Sequence, residues 1–186
     1  MQLISQPAHS LLHGHVPLHQ PIGSLQLQEG YAIADIGSGG GYFTLEFAKK
    51  VGRTGRVYAV DTQAKNLDFI KNRFDREGLD NIAFVLATRE EMDLPEAGLD
   101  LAFVRNAFYH LPEPAKYFRN LKRFPKPREK VVVIEHKPTG GFSFVLMFKH
   151  YTPVEVILRE MKNAGYLLVQ SFDFLPEQTF NLFGTE

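Results

Sequence analysis

The chain has 186 residues, enough for one domain with a full hydrophobic core. Lys+Arg and Asp+Glu both number 21, so the formal net charge is zero and the basic excess typical of phosphate-gripping proteins is missing; this disfavours a nucleic-acid partner. The absence of cysteine excludes disulfides, thiolate nucleophiles and cysteine-ligated metals. No apolar run approaches the roughly 18 residues of a membrane span. Met1 to Gln20 lacks the basic-then-apolar order of a signal peptide, and a cytoplasmic protein is expected.

Residues 1–24 read as an irregular lead segment, because Pro7, Gly14, Pro17, Pro21 and Gly23 would interrupt a helix. Residues 25–186 read as a single domain. The lead segment carries His9, His13, His15 and His19, a spacing that could ligate Zn²⁺ or Ni²⁺. Gly14 and Pro17 keep these four off one helical face. A flexible segment lying over the site is the expected reading, and no metal is assigned.

From Tyr31 the pattern alternates. Tyr31–Ile36 is an apolar run that reads as a buried strand. Phe43, Phe47, Ala48 and Val51 recur at helical spacing until Gly52 and Gly55. Arg56–Val60 is a second strand, and Leu67, Ile70 and Phe74 mark a helix ended by Gly78. Ile82–Leu86 and Leu99–Val104 are the third and fourth strands. Pro112 and Pro114 open a helix with Tyr117, Leu121 and Phe124 on one face, and Lys130–Glu135 is the fifth strand. Thr152-Pro153-Val154-Glu155 has the form of an N-cap, a first-turn proline and a first-turn acid; Ile157, Met161 and Ala164 continue that helix to Gly165. Tyr166–Phe174 and Thr179–Phe183 then form a terminal hairpin around Pro176-Glu177. Strand–helix alternation of this kind implies an α/β fold, a parallel sheet with helices on both faces.

Asp35-Ile36-Gly37-Ser38-Gly39-Gly40-Gly41 falls at the first strand-to-helix turn, where open α/β sheets bind ligands. A phosphate loop needs Lys-Ser or Lys-Thr after its last glycine, and Tyr42-Phe43 follows instead. G-x-G-x-x-G fails from either Gly37 or Gly39, which would need glycine at Tyr42 or Thr44. D-x-G-x-G-x-G fits, and Asp35 before the loop suits a cationic ligand better than a pyrophosphate. Asp61 ends the second strand, where a carboxylate can accept from both hydroxyls of a ribose; it could instead merely cap the next helix.

Ile33-Ala34-Asp35-Ile36-Gly37-Ser38-Gly39-Gly40-Gly41-Tyr42-Phe43-Thr44 and Val57-Tyr58-Ala59-Val60-Asp61 resemble the first two motifs of the class I S-adenosylmethionine-dependent methyltransferases, in the small-molecule, ubiquinone/menaquinone-biosynthesis-like branch. Leu94-Pro95 with Leu99-Asp100-Leu101 is similar to the family's approach to strand four, and Pro125-Lys126-Pro127 to its turn before strand five. The resemblance implies a Rossmann-like three-layer α/β/α sandwich with a seven-stranded sheet in the order 3-2-1-4-5-7-6, strand seven antiparallel. It implies S-adenosylmethionine as cofactor, held by Asp35, Gly37, Ser38, Gly39, Gly41, Asp61, Thr62, Thr88, Glu90, Arg105 and Asn106. Glu90 takes the place of the acid that reads the adenine amino group.

Methyl transfer from a sulfonium is an in-line displacement, so alignment matters more than a strong base. Arg105-Asn106-Ala107-Phe108-Tyr109-His110 lies where related enzymes line the cleft near the methyl group. His110 could take a proton from a hydroxyl or amine acceptor, or it could be a structural histidine at the next helix. Tyr109 is the second catalytic candidate, with packing as its plainer role. His136 and Lys137 are expected at the cleft mouth. Phe142, Phe144, Met147, Phe148 and Tyr151 suggest a pocket for an apolar small-molecule acceptor, a packed flap or a homodimer contact. No Asn-Pro-Pro-Tyr or Asp-Pro-Pro-Tyr run follows strand four, which argues against DNA amino methylation. The competing expectations are a non-catalytic S-adenosylmethionine-binding regulator and, disfavoured by the glycine spacing, a nicotinamide oxidoreductase.

Overall fold

The structure, a computed structural model, describes residues 20–88, 91–137 and 151–185. Seven strands form one sheet in the order β3-β2-β1-β4-β5-β7-β6. They are β1 (Ala32–Ile36), β2 (Arg56–Asp61), β3 (Ile82–Leu86), β4 (Leu99–Arg105), β5 (Pro125–His136), β6 (Leu167–Phe172) and β7 (Gln178–Gly184). The first five run parallel, and β7 pairs antiparallel with both β5 and β6. The order, the three layers and the reversed seventh strand are those expected.

Alternation along the strands sorts the core onto two faces. Ala34, Ala102, Val104, Val131 and Val133 face Tyr117, Phe118 and Leu121 of α4 (Pro114–Leu121), together with Ile157 and Met161 of α5 (Val154–Asn163). Ile33, Val57, Phe103 and Val132 face Phe43, Phe47 and Val51 of α2 (Tyr42–Val51). On that same face α3 (Ala64–Glu77) buries Leu67, Ile70 and Phe74 against Ala59. Fully burying side chains of this size stabilises by roughly 1.5–3 kcal/mol each.

Several boundaries differ from expectation. A one-turn helix α1 (Gln20–Ser24) forms despite Pro21 and Gly23, because a first-turn proline lacks only an N–H that has no helical partner anyway. Thr152 does not cap α5: Pro153 occupies the cap position with φ −54° and ψ 140°, without a side-chain cap bond, and the helix starts at Val154. Strand β5 begins at Pro125, where Leu99 pairs with it across an irregularity in the register, so Pro125-Lys126-Pro127 is strand and not turn. Phe124 lies beyond the end of α4 yet is buried. The lead-segment histidines, Glu90 and the aromatic cluster at 142–148 lie outside the described residues.

Candidate active site

The glycine loop is bound to the neighbouring strand by its own backbone. The amides of Gly37 and Ser38 both donate to the carbonyl of Val60, at 2.9 and 3.0 Å. Gly37 has φ +76°, and a Cβ there would stand 2.9 Å from the Cβ of Ala107. Gly41 has φ +72° and abuts Ile70 of α3, where a Cβ would meet a side-chain carbon at 2.7 Å. Both positions need glycine for conformation and for space.

Asp61 organises the next turn. Its Oδ2 accepts from the amide of Gly39 at 2.9 Å and from Nδ2 of Asn66 at 3.1 Å, and its Oδ1 accepts from the amide of Gln63 at 2.9 Å. The carboxylate therefore joins the glycine loop to the start of α3. The two roles expected of Asp61 are not exclusive: it holds the turn into α3 and also faces the cavity described next.

A cavity of about 400 Å³ opens at the carboxyl ends of β1 and β2 and beside the turn after β4. This is where the sheet order reverses, the usual ligand crevice of an open α/β sheet. It brings together six of the expected residues: Gly37, Asp61, Thr62, Thr88, Asn106 and His110. Gln63, Asn66, Leu111 and Tyr117 also line it. Asn66 and Tyr117 carried no motif signal; they sit on the inward sides of the first turns of α3 and α4, and helical spacing alone could have found them.

Asp35, Ser38, Gly39, Gly41, Arg105 and Tyr109 do not line the cavity. Asp35 is 4% exposed and accepts a hydrogen bond from Oγ1 of Thr44 in α2. Its carboxyl thus ties the end of β1 to the first turn of α2, beside the loop. Burial pushes its pKa up to about 6, although Thr44 and the Arg105 guanidinium oppose the rise. Ser38 Oγ is buried without a hydrogen-bond partner among the described residues. Lys137 turns from the cleft mouth toward the β6–β7 connection, its Nζ donating to the carbonyl of Leu175 at 3.0 Å.

Arg105 runs under the site, its guanidinium 5.0 Å from the ring centroid of Phe43. Burial works against its charge and lowers its pKa, while the nearby carboxyls of Asp35 and Glu135 oppose that shift. Glu135 is fully buried at the end of β5 and accepts from the amide of His136 at 3.0 Å. Burial raises its pKa to about 7, against the amides of His136, Tyr109 and Phe108 and the charge of Arg105. Burial and the nearby Glu135 also raise the Tyr109 phenol, so Tyr109 keeps its proton and can donate a hydrogen bond but is poorly suited to act as a base. Sequence reasoning gave no signal for Glu135, which read only as the end of a strand.

A methyltransferase-domain family profile matches residues 27–182. The chain belongs to this family. Among curated relatives, it is 25% identical to the ubiquinone/menaquinone biosynthesis C-methyltransferase UbiE of Rickettsia akari, over 78% of this chain and 62% of that protein. It is 27% identical to the demethylmenaquinone methyltransferase of Halalkalibacterium halodurans, over 87% of this chain and 65% of that protein. The chain thus spans about half to two thirds of the length of the curated relatives it matches. A SAM-dependent methyltransferase structure from Aquifex aeolicus superposes with a TM-score of 0.83 at 23% identity, covering 90% of each chain. Phosphoethanolamine N-methyltransferase 2 of Haemonchus contortus, in complex with S-adenosyl-L-methionine, gives 0.72 at 17% identity, covering 91% of this chain and 52% of that one. These structures establish the Rossmann-like methyltransferase fold.

Proposed function

We propose that this methyltransferase-family chain binds S-adenosylmethionine in the cavity at the ends of β1, β2 and β4 and transfers its methyl group to a small-molecule acceptor. The observation that carries the reading is the joint placement of Asp61 and Gly37 on one cavity at the switch point. The residues fit the cofactor. Val60, Ala87, Leu111 and Tyr117 offer apolar wall to an adenine, and Asp61 offers a carboxylate to a ribose. A carboxylate has about four acceptor sites. Three are occupied here, two by backbone amides and one by the Asn66 side chain. Asn66 is the partner able to exchange for a ribose hydroxyl, because it is a side chain lining the cavity.

The cofactor supplies the electrophilic methyl group; the chain supplies alignment and, at the acceptor, His110. His110 is exposed and lines the cavity, and its ring lies 3.9 Å from that of Tyr109. In this reading His110 takes the acceptor proton and Tyr109 donates a hydrogen bond. Arg105 and Asp35 support the loop. The names of the curated relatives make a quinol-type aromatic the first acceptor to try. Among the described residues no helix is long and apolar enough to cross a membrane. A cytoplasmic site of action, a domain beginning near residue 25 and a homodimer belong to the same proposal.

Calorimetry with S-adenosylmethionine and with NAD tests it, followed by methyl transfer to a panel of small phenols and hydroquinones. Asp61→Ala removes charge-assisted acceptors worth roughly 1.5–3 kcal/mol each, so S-adenosylmethionine affinity should fall at least about tenfold. His110→Ala should leave that affinity unchanged and lower kcat by about 10²-fold or more. Tight NAD binding without a S-adenosylmethionine signal would overturn the proposal, and cofactor binding with no turnover across the panel would favour a regulatory protein.

A further inference from the structure

We infer that Gln178 of β7 is a positioning residue that fixes which end of the Asn106 amide is committed and which is offered to the cavity. Asn106 lines the cavity; Gln178 does not. Gln178 is 7% exposed and reaches across from β7 to the turn after β4. Its Oε1 accepts from Nη2 of Arg105 at 2.9 Å, and its Nε2 donates to Oδ1 of Asn106 at 2.7 Å.

This relay has one possible sense. A guanidinium carries only donors, so Gln178 must turn its carbonyl oxygen toward Arg105. Its NH₂ is then the end left for Asn106, and an NH₂ can only donate, so Asn106 must turn its own oxygen to meet it. Among the described residues, Nδ2 remains as the uncommitted end of the Asn106 side chain. The donor-only character of Arg105 thus sets the polarity of the Asn106 amide through Gln178.

The backbone reinforces the arrangement. Asn106 has φ +51°, a left-handed conformation that few residues other than glycine and asparagine adopt readily. Its amide donates to the carbonyl of Ile134 at 2.9 Å. Position, backbone and amide orientation are thus all fixed before any ligand arrives. What Asn106 offers is a donor, which suits a carboxylate or carbonyl oxygen of the bound molecule. On the proposed function, with which this inference shares its ligand, that oxygen belongs to the amino-acid end of S-adenosylmethionine.

Gln178→Glu is the decisive variant. It keeps the shape and the acceptor for Arg105 but gives Asn106 an acceptor in place of a donor. Asn106 should then reverse, offering Oδ1 to the cavity. S-adenosylmethionine binding measured by calorimetry should weaken about tenfold, while Tm stays the same or rises because Arg105 gains a carboxylate. Asn106→Asp, which keeps the bond from Gln178 Nε2 but loses the donor, should weaken binding at least as much. A readout independent of the cofactor is the Asn106 side-chain amide resonance pair in ¹⁵N-labelled protein, which should shift strongly in Gln178→Glu. An unmoved Asn106 amide in a folded Gln178→Glu chain overturns the relay, and so does wild-type cofactor affinity in either variant. If the wild-type chain binds no S-adenosylmethionine, the functional reading falls while the amide resonances still decide the relay.

Discussion

At the scale of single residues, the site depends on atoms that are absent as much as on those present. Gly37 has no Cβ, and one placed there would press on Ala107 at 2.9 Å, on a backbone with φ +76°. Gly37→Ala combines a left-handed strain of roughly 1–2 kcal/mol with a clash against the turn after β4. Tm should drop by several degrees and S-adenosylmethionine affinity should fall with it, as thermal unfolding and calorimetry on the same sample would show; an unchanged affinity would mean that the loop does not contact the ligand. The glycines were legible because their conformational demand is written in residue type. Asp35 was legible as an acid but its partner was not, because Thr44 lies nine residues on, in the first turn of α2, and only the fold brings its hydroxyl to the carboxyl. Glu135 gave no signal for the same reason: only the packing of β5 under the turn after β4 shows that it shares Arg105 with Asp35.

At the scale of elements, the helices are joined to the sheet by side chains whose job is to satisfy backbone groups. Asn81, 5% exposed just before β3, donates through Nδ2 to the carbonyls of Ala48 and Gly52, both at 2.8 Å, where α2 ends. Asn81→Ala leaves two carbonyls at a buried helix end without this donor, at a cost of roughly 1–3 kcal/mol. The expected result is a Tm lowered by several degrees with cofactor affinity nearly unchanged, since the loop lies at the opposite end of α2. A large loss of affinity would show that α2 transmits strain to the loop. Asp100 does similar work at the amino ends of the central strands, accepting from the amide of Ala32 at 2.8 Å and pairing with Lys126. Element order was legible from periodicity, because buried strands and one-sided helices leave different spacings. Element ends were less so. Thr152-Pro153 carries every local sign of an N-cap and first turn, but Pro153 adopts an extended ψ and the helix starts one residue later.

At the scale of the whole molecule, the sheet order collects residues far apart in sequence into one charge cluster, and that cluster makes stability depend on pH. Asp35, Arg105 and Glu135 come from β1, β4 and β5, adjacent in the sheet. Topology was legible from strand–helix alternation with the family resemblance; this cluster was not, because it requires the lateral pairing itself. The ordinary carboxyl values are 3.8 for Asp35 and 4.5 for Glu135, and burial raises them to about 6 and about 7 in the folded chain. Between these limits the folded state binds more protons than the unfolded one, so stability falls as pH rises and levels off above about 7. At about 1.4 kcal/mol per pKa unit, Glu135 accounts for roughly 3 kcal/mol of that fall as an upper figure. Glu135→Gln keeps an oxygen for the amide of His136 and removes the group that must ionise; Asp35 remains as a counter-charge for Arg105. The variant should match the wild type near pH 4.5 and exceed its Tm by several degrees at pH 8, with a visibly flatter Tm–pH profile. A wild-type profile that rises from pH 5 to 8, or a Glu135→Gln profile as steep as wild type, would show that burial does not raise Glu135 and that it is already ionised in the folded chain near pH 5.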